Sequence, residues 1–380
     1  MLQNLCSQIH GVKATLNNAF IDRSEEIDML LTTLIANENI CLVGIPGVAK
    51  SALIESLASL INGKYFGYQI RCDTTPDDIV GHISIKELRD NDSRKIRTAN
   101  MAPEADVVYL DECFKASGPM LNSMLLMLNE RMVDIGEGVR QKSNIKMIVA
   151  SSNEYPLEGE LGAFWDRWTV RMEIGNFKRD TDFSKFWEGF GNGDIGKVDM
   201  SKSIPIETVN KLRSMVWDVD SSHLNRQIYD LRTELMKEDI LLTPRRWGKI
   251  KKMVHASALY AGRTKASKSD LKVLSHCAWR TVDEKETIDD IILQIMGGDI
   301  HDANRLWAMA TKAYTVSGVR NLPAEPQYIG KTAPVLSQLR EYVAEAQKLD
   351  QSEPMVAEKT RKIVEMADLL AAFINECLGM

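Results

Sequence analysis

Lys50 and Ser51 place a flexible ammonium and a small hydroxyl side by side at the end of Gly44-Ile45-Pro46-Gly47-Val48-Ala49. Ile40-Cys41-Leu42-Val43 runs ahead of that stretch, and Ala52-Leu53-Ile54 behind it continues to Leu57 and Leu60 at helical spacing. Strand, tight glycine-proline-glycine loop, then helix is the order that a phosphate-binding loop requires. Backbone N–H groups along the loop and helix start, Gly44 through Ala52, would then face phosphate oxygens. Lys50 would sit on the β- and γ-phosphates of a nucleotide, and the Ser51 hydroxyl would ligate Mg²⁺. The residue ahead of such a lysine is usually glycine, and Ala49 stands there instead. Alanine tolerates positive φ poorly, but a position that opens a helix does not demand it.

Two further strand ends carry polar chemistry. Asp106-Val107-Val108-Tyr109-Leu110-Asp111-Glu112 is an apolar, β-rich run that finishes in two acids. Buried parallel strands read this way, and ligands gather at their C-terminal ends. Asp111 would hold Mg²⁺ through water, and Glu112 would orient or deprotonate an attacking water. Ile145 through Ala150 forms another buried run, closed by Ser151-Ser152-Asn153. The Asn153 amide, beside the nucleotide strand, would position that water.

The elements that must position these groups follow an alternating pattern. Residues 1–37 read as helical, with Leu30, Leu31, Leu34 and Ile35 as an apolar stripe. Strands are expected near 40–43, 67–72, 106–110, 145–150 and 169–174, mostly separated by helices. That alternation predicts a five-stranded parallel sheet with helices on both faces. A hairpin is expected at 81–101, with Ile83-Ser84-Ile85 and Lys95-Ile96-Arg97 as its arms and Asp90-Asn91-Asp92-Ser93 as its turn. A second is expected at 133–142, turning near Gly136-Glu137-Gly138. Lys178–Ser203 reads as a linker with short helices, and everything after Ile206 as helical. Leu271, Leu274, Cys277 and Ala278 keep helical period. The last two helices are expected at about 334–349 and 355–378.

Composition bounds the rest. At 380 residues, 44% hydrophobic and 26% charged, the chain can build two or three domains with ordinary cores. A net charge of −6 gives no general affinity for nucleic acid, although a local basic patch stays open. The six cysteines have no paired spacing, which speaks for reduced thiols rather than a disulfide frame or zinc site. No secretory signal is visible at residues 1–10, and no run of 18 apolar residues suggests a membrane span. A cytoplasmic protein is the expectation.

On these residues the chain resembles the MoxR family of AAA+ ATPases, and within it the RavA-like branch. The likeness runs from about Asn17 to Asp283. Phe20-Ile21-Asp22-Arg23 resembles the segment that packs on adenine, which implies Ile21 and Asp22 as nucleotide contacts. GIPGVAKS resembles the family's P-loop, alanine included. Val107 to Ser117, followed by Leu121–Leu126 and Leu128–Arg131, is its most distinctive stretch, and Ala150–Pro156 looks like its sensor-1 segment. The two hairpins match the helix-2 insert and pre-sensor hairpin of this clade. Asp166-Arg167-Trp168 resembles the motif whose arginine reaches a neighbouring subunit's ATP. Leu242-Thr243-Pro244-Arg245-Arg246-Trp247 resembles the sensor-2 motif of the lid, with Arg245 the better candidate and Arg246 the second.

The resemblance implies an AAA+ αβα nucleotide-binding domain at 1–190, an α-helical lid at 191–283 and a helical extension at 284–380. The larger C-terminal module of RavA-like proteins is missing from it. The implied activity is hydrolysis of ATP to ADP and phosphate with Mg²⁺ by a ring, usually a hexamer. The implied use is remodelling a protein partner, often one with a von Willebrand A domain. Arg245 would sense the γ-phosphate in cis and Arg167 would act in trans. Three alternatives stay open: a nucleotide-gated scaffold with slow turnover, a nucleic-acid motor drawing on Lys86, Arg89, Arg94, Lys95 and Arg97, and a chelatase motor subunit.

Overall fold

The computed structural model describes residues 1–155, 160–189, 196–319, 322–323, 325–349, 351 and 353–378. The chain divides into two compact units. The first takes Met1–Asp220, Leu242–Ala266 and His276–Val282, and the second takes Ser221–Leu241, Ser267–Ser275 and Asp283–Met380.

The first unit is built on strands β1 (Asn39–Val43), β2 (Tyr65–Gln69), β3 (His82–Ile83), β4 (Ile96–Arg97), β5 (Val107–Asp111), β6 (Met132–Asp134), β7 (Arg140–Lys142), β8 (Met147–Ser152) and β9 (Val170–Glu173). Five of them form one sheet in the order β2-β5-β8-β1-β9, all parallel. The crossovers put every strand's C-terminal end on one edge, called here the top, and every N-terminal end on the other, the foot. β1 and β8 are buried along their whole length, as central strands covered on both faces must be. Ser24–Ala36 packs nearly all round and turns into β1 through Asn37, whose left-handed backbone closes the helix. Lys50–Leu60 buries Leu53, Ile54, Leu57 and Leu60, and Gly118–Glu130 buries Met120, Leu121, Met124, Met127 and Leu128. Each stripe repeats every three to four residues, so one face meets the core.

A buried carboxylate ties another helix to this core. Glu38 lies 3.5 Å from Lys249 Nζ and 2.9 Å from Lys252 Nζ, and accepts from Thr169 Oγ1 at 2.7 Å. Burial alone would raise its pKa, but the two lysines and its hydrogen bonds outweigh that and hold it below the ordinary value. Pro244–Tyr260 therefore starts at the foot of the sheet. Arg246 fixes the same end by donating to Trp168 O at 2.8 Å and to Cys277 O at 2.7 Å.

The excursion at 81–101 differs from a plain hairpin. β3 pairs antiparallel with β4, but Ile85 leaves the strand and opens a helix, Ile85–Asn91, capped by the Ser84 hydroxyl on Glu87 N–H. The local cap wins over alternation, because strands of two residues bury too little to extend. β6 and β7 form the second hairpin as expected. The two excursions dock on each other: Ile96 N–H donates to Ile135 O at 2.8 Å, and a Cβ on Gly136 would collide with the Arg94 carbonyl.

In the second unit, Gly298–Ser317, Ile329–Ala346 and Pro354–Leu378 pack as a three-helix bundle around Leu306, Ala310, Leu339, Ile363 and Leu370. Ile329–Ala346 begins five residues before the expected start, with Pro334 inside its second turn. Its missing N–H forfeits one bond near the helix start, which packing offsets. Lys268–His276 is a 3₁₀ segment rather than the α-helix its period suggests.

Candidate functional site

The loop after β1 is shaped by three unusual residues. A Cβ at Gly44 would fall on the Ile174 carbonyl, so only glycine lets β9's exit lie against the loop. Gly47 takes φ +81°, which glycine adopts without cost. Ala49 takes φ +61°, ψ +27°, contrary to the expectation that its position escapes positive φ. The helix starts at Lys50, and Ala49 must turn left-handed to aim the chain into it. That conformation costs an alanine roughly 1–2 kcal/mol.

Lys50 is buried, with Nζ 2.6 Å from Gly44 O, 3.3 Å from Ile45 O and 3.4 Å from Asn153 Oδ1. Burial lowers its pKa, and the charges of Asp111 and Glu112 resist. Asn153 donates through Nδ2 to Glu112 Oε1 at 2.6 Å. One amide thus stands between cation and carboxylate, its oxygen toward Lys50 and its nitrogen toward Glu112. Glu112 itself sits in the left-handed region at φ +54°, where the chain leaves β5. Its N–H donates to Asp111 Oδ1 at 3.1 Å, and Lys115 Nζ lies 3.5 Å from its other carboxylate oxygen. Strain of this kind gathers where side chains must be re-aimed.

Ser51 and Asp111 meet through a residue that motif reading passed over. Tyr109 OH lies 3.4 Å from Ser51 Oγ, 2.8 Å from Ser151 Oγ and 3.2 Å from Asp111 Oδ1. Ser151 Oγ also donates to Asp111 Oδ1. Burial pushes the Tyr109 phenol up to about 12, so it stays a proton donor at neutral pH. The signal was available: Tyr109 and Asp111 are two apart on a strand and share a face. Among the described residues the hydrogen bonds to the Asp111 carboxylate fall on Oδ1, so Oδ2 could take a hydrated cation. No group of three or more metal-ligating side chains exists among the described residues. Mg²⁺ does not need one, since it commonly takes one or two protein oxygens plus phosphates and waters.

Ile21 and Asp22 line a separate cavity of about 430 Å³ with Phe20, Arg23, Arg179 and Asp182. That volume is within the range of small-ligand sites. Residues 174–178 join it to the loop. Ile174 N–H donates to Val43 O at 2.8 Å, Arg23 Nη2 reaches Gly175 O at 2.7 Å, and Lys178 N–H reaches Asp22 Oδ2 at 2.8 Å.

The two remaining arginines lie elsewhere. The Arg167 carbonyl accepts from the amide of Asn39, the first residue of β1, and its guanidinium lies 3.8 Å from Asp166. Arg167 is therefore at the foot, while Lys50 is beyond the top of the same strand. A strand of that length separates them by about 13 Å or more. Arg245 is exposed in the first turn of Pro244–Tyr260, next to the Arg246 that Trp168 pins at the foot. The start of that helix therefore lies at the opposite end of the sheet from Lys50.

A glycine loop, a buried lysine and an acid pair on a parallel sheet, with helices following, define a P-loop protein of the AAA+ class. Residues 7–214 match the family model of the MoxR domain in the MoxR-vWA-beta-propeller ternary systems, and 223–292 match that of the AAA lid domain. The chain belongs to the MoxR family of AAA+ ATPases. It is 36% identical over 277 residues to an uncharacterized protein of Methanocaldococcus jannaschii, covering 73% of this chain and 72% of the relative. It is 22% identical over 179 residues to the chaperone MoxR1 of Mycobacterium tuberculosis, covering 46% of each. A solved structure from Cytophaga hutchinsonii, described only provisionally as an ATPase, superposes with a TM-score of 0.63. It is 17% identical and covers 78% of this chain and 95% of its own, which supports the fold.

Proposed function

We propose that the protein is a ring-forming ATPase that couples hydrolysis of Mg²⁺-ATP to remodelling of a protein partner. The observation that carries this reading is the Lys50–Asn153–Glu112 bridge, because it places a cation, an amide and a carboxylate where the terminal phosphate and its attacking water would meet. Lys50 and the loop amides from Gly44 to Ala52 would hold phosphates, and Ile21 and Asp22 the base. Ser51 and Asp111 would hold Mg²⁺, which offsets phosphate charge when bound. Glu112 would take the proton of water that Asn153 orients.

Among the described residues the only cation from beyond the loop that pairs with the site's acids is Lys115, beside Glu112, while Arg167 and Arg245 lie at the foot of the sheet. Arg167 and Arg245 would both serve the nucleotide of a neighbouring copy, which makes assembly a condition of turnover. Closed rings form from such head-to-tail contacts; a hexamer is the size the family suggests. The matched family model points to a partner with a von Willebrand A domain. Exposed Ile85 and Leu88 on the insert helix favour a protein client. The insert's basic residues favour nucleic acid less, since Arg89 pairs with Asp90 at 2.8 Å and Lys95 with Glu87 at 3.3 Å. The RavA-like placement, the domain limits at 190 and 283, and a cytoplasmic location belong to the same proposal. Among the described residues no helix is long and apolar enough to cross a membrane.

Phosphate release and light-scattering mass, measured together on wild type and Lys50→Ala, test it. Wild type should turn over ATP and form an ATP-dependent ring, and Lys50→Ala should lose nucleotide binding at least a hundredfold. Micromolar ATP affinity in Lys50→Ala would sink the P-loop assignment. A ring with negligible turnover would favour the scaffold.

A further inference from the structure

At the foot of the sheet, below β5 and β8, lies a second cavity of about 450 Å³. Arg131, Lys142, Lys146 and Arg213 contribute its charge, Ser143 and Asn144 part of its wall, and no acid lines it. The two nearby acids are already engaged. Asp106 accepts from Lys146 Nζ at 2.7 Å and from Lys64 N–H at 2.8 Å. Glu38 is held by Lys249 and Lys252. Arg131 turns toward the carbonyls of Leu128 and Glu38, at 3.4 and 3.3 Å, and so closes two helix ends. Arg213 feels the charge of Asp106, but its buried Nε has no hydrogen-bond partner among the described residues. Burial lowers the pKa of both guanidiniums, Arg131 to about 10, and the Arg213 charge adds to the effect on Arg131. Asp106 offsets Lys146 and part of the Arg213 charge, and Glu38 part of that of Arg131. Four cations still share a cavity with no acid in its wall, and an orphaned buried donor beside excess positive charge is costly unless an anion arrives.

We propose that this cavity is a second anion site, distinct from the P-loop, which takes the phosphate groups of a small phosphorylated molecule. Guanidinium forks match phosphate oxygens two at a time, and the volume suits a small ligand rather than a single ion. The position gives occupancy a consequence. Lys142 ends β7, and residues 143–146 lead into β8, whose other end carries Ser151 and Asn153. A bound diphosphate would brace the hairpin against the strand that orients the catalytic amide.

Calorimetric titration of inorganic pyrophosphate into the full chain carrying Lys50→Ala tests the site with the P-loop disabled. One pyrophosphate should bind per chain, at least tenfold more weakly when Arg213→Met is added, and more weakly by a smaller factor with Lys142→Ala. Lys142 is an exposed strand end, so that variant carries the test if Arg213→Met fails to fold. Hydrogen exchange should slow at residues 142–146 on binding. No heat in Lys50→Ala, or heat that both added variants leave unchanged, would overturn the proposal. So would a single-stranded oligonucleotide that binds more tightly than pyrophosphate and depends on the same two residues, since the site would then read a nucleic-acid backbone.

Discussion

The two ends of β8 handle charge in opposite ways. At the top, Lys50 faces Asp111 and Glu112, and Asn153 bridges what direct contact does not. At the foot, four cations line one cavity that has no acid in its wall; Asp106 pairs with one of them, Lys146, and Glu38 is held by Lys249 and Lys252. Among the described residues the top sets Lys50 and Lys115 against Asp111 and Glu112, while the cavity at the foot carries more cations than acids. The comparison fits the proposed reading, in which a second copy completes the site. A parallel sheet puts ligand-binding loops at one edge, and a head-to-tail ring would bring the opposite edge of the next copy to it.

The largest expected effect joins both ends. Arg167→Ala should cut turnover by about 10³–10⁵, the contribution of a cationic finger, measured as phosphate release. Mixing it with Glu112→Gln subunits should restore part of the rate at interfaces that pair an intact Glu112 with an intact Arg167. Silence at every mixing ratio would break the two-ended picture. Glu112→Gln alone should lose about 10²–10⁴ in turnover, as removal of a general base does, while still binding ATP and forming the ring. Normal turnover in that variant would remove Glu112 from the chemistry.

Smaller effects sharpen the top end only. Tyr109→Phe strips the hydroxyl that links Ser51, Ser151 and Asp111, and should cost about 1–3 kcal/mol in urea unfolding. Its Mg²⁺ requirement for phosphate release should rise severalfold, with Arg213-dependent pyrophosphate binding unchanged. Ala49→Gly relieves left-handed strain of roughly 1–2 kcal/mol and adds about 0.5–1 kcal/mol of chain entropy to the unfolded state. The net gain should be about 0.5–1 kcal/mol, read as a higher urea midpoint. A loss of stability would show that Ala49 is not strained.

The sheet was legible because its signals are local. Three of the five expected strands, the loop at 44–51 and the acids closing the run at 106–110 lie in short segments and turned up in place to within a residue. The strand expected at 67–72 starts two residues earlier, at Tyr65–Gln69, and that expected at 145–150 two residues later, at Met147–Ser152. Lys50, Ser51, Asp111, Glu112 and Asn153 could be named for the same reason: they stand where strands stop. The insert was misread at Ile85, where alternation pointed to a strand and a serine cap settled for a helix. The spacing of Tyr109 to Asp111 put the two on one face, but nothing local says that its hydroxyl meets one 58 residues away.

What the sequence by itself determined is the succession of strands and helices and the set of polar groups at the sheet's top edge, because periodicity and turn chemistry act over a few residues. What only the tertiary structure decided is which edge the distant residues join. Arg245 follows Arg246 to the foot because Trp168 and Cys277 offer carbonyls there and Glu38 binds the lysines one and two turns on. Arg213 and Lys142, some seventy residues apart in sequence, come to line one cavity. Long-range packing sets such meetings, and no local pattern records them.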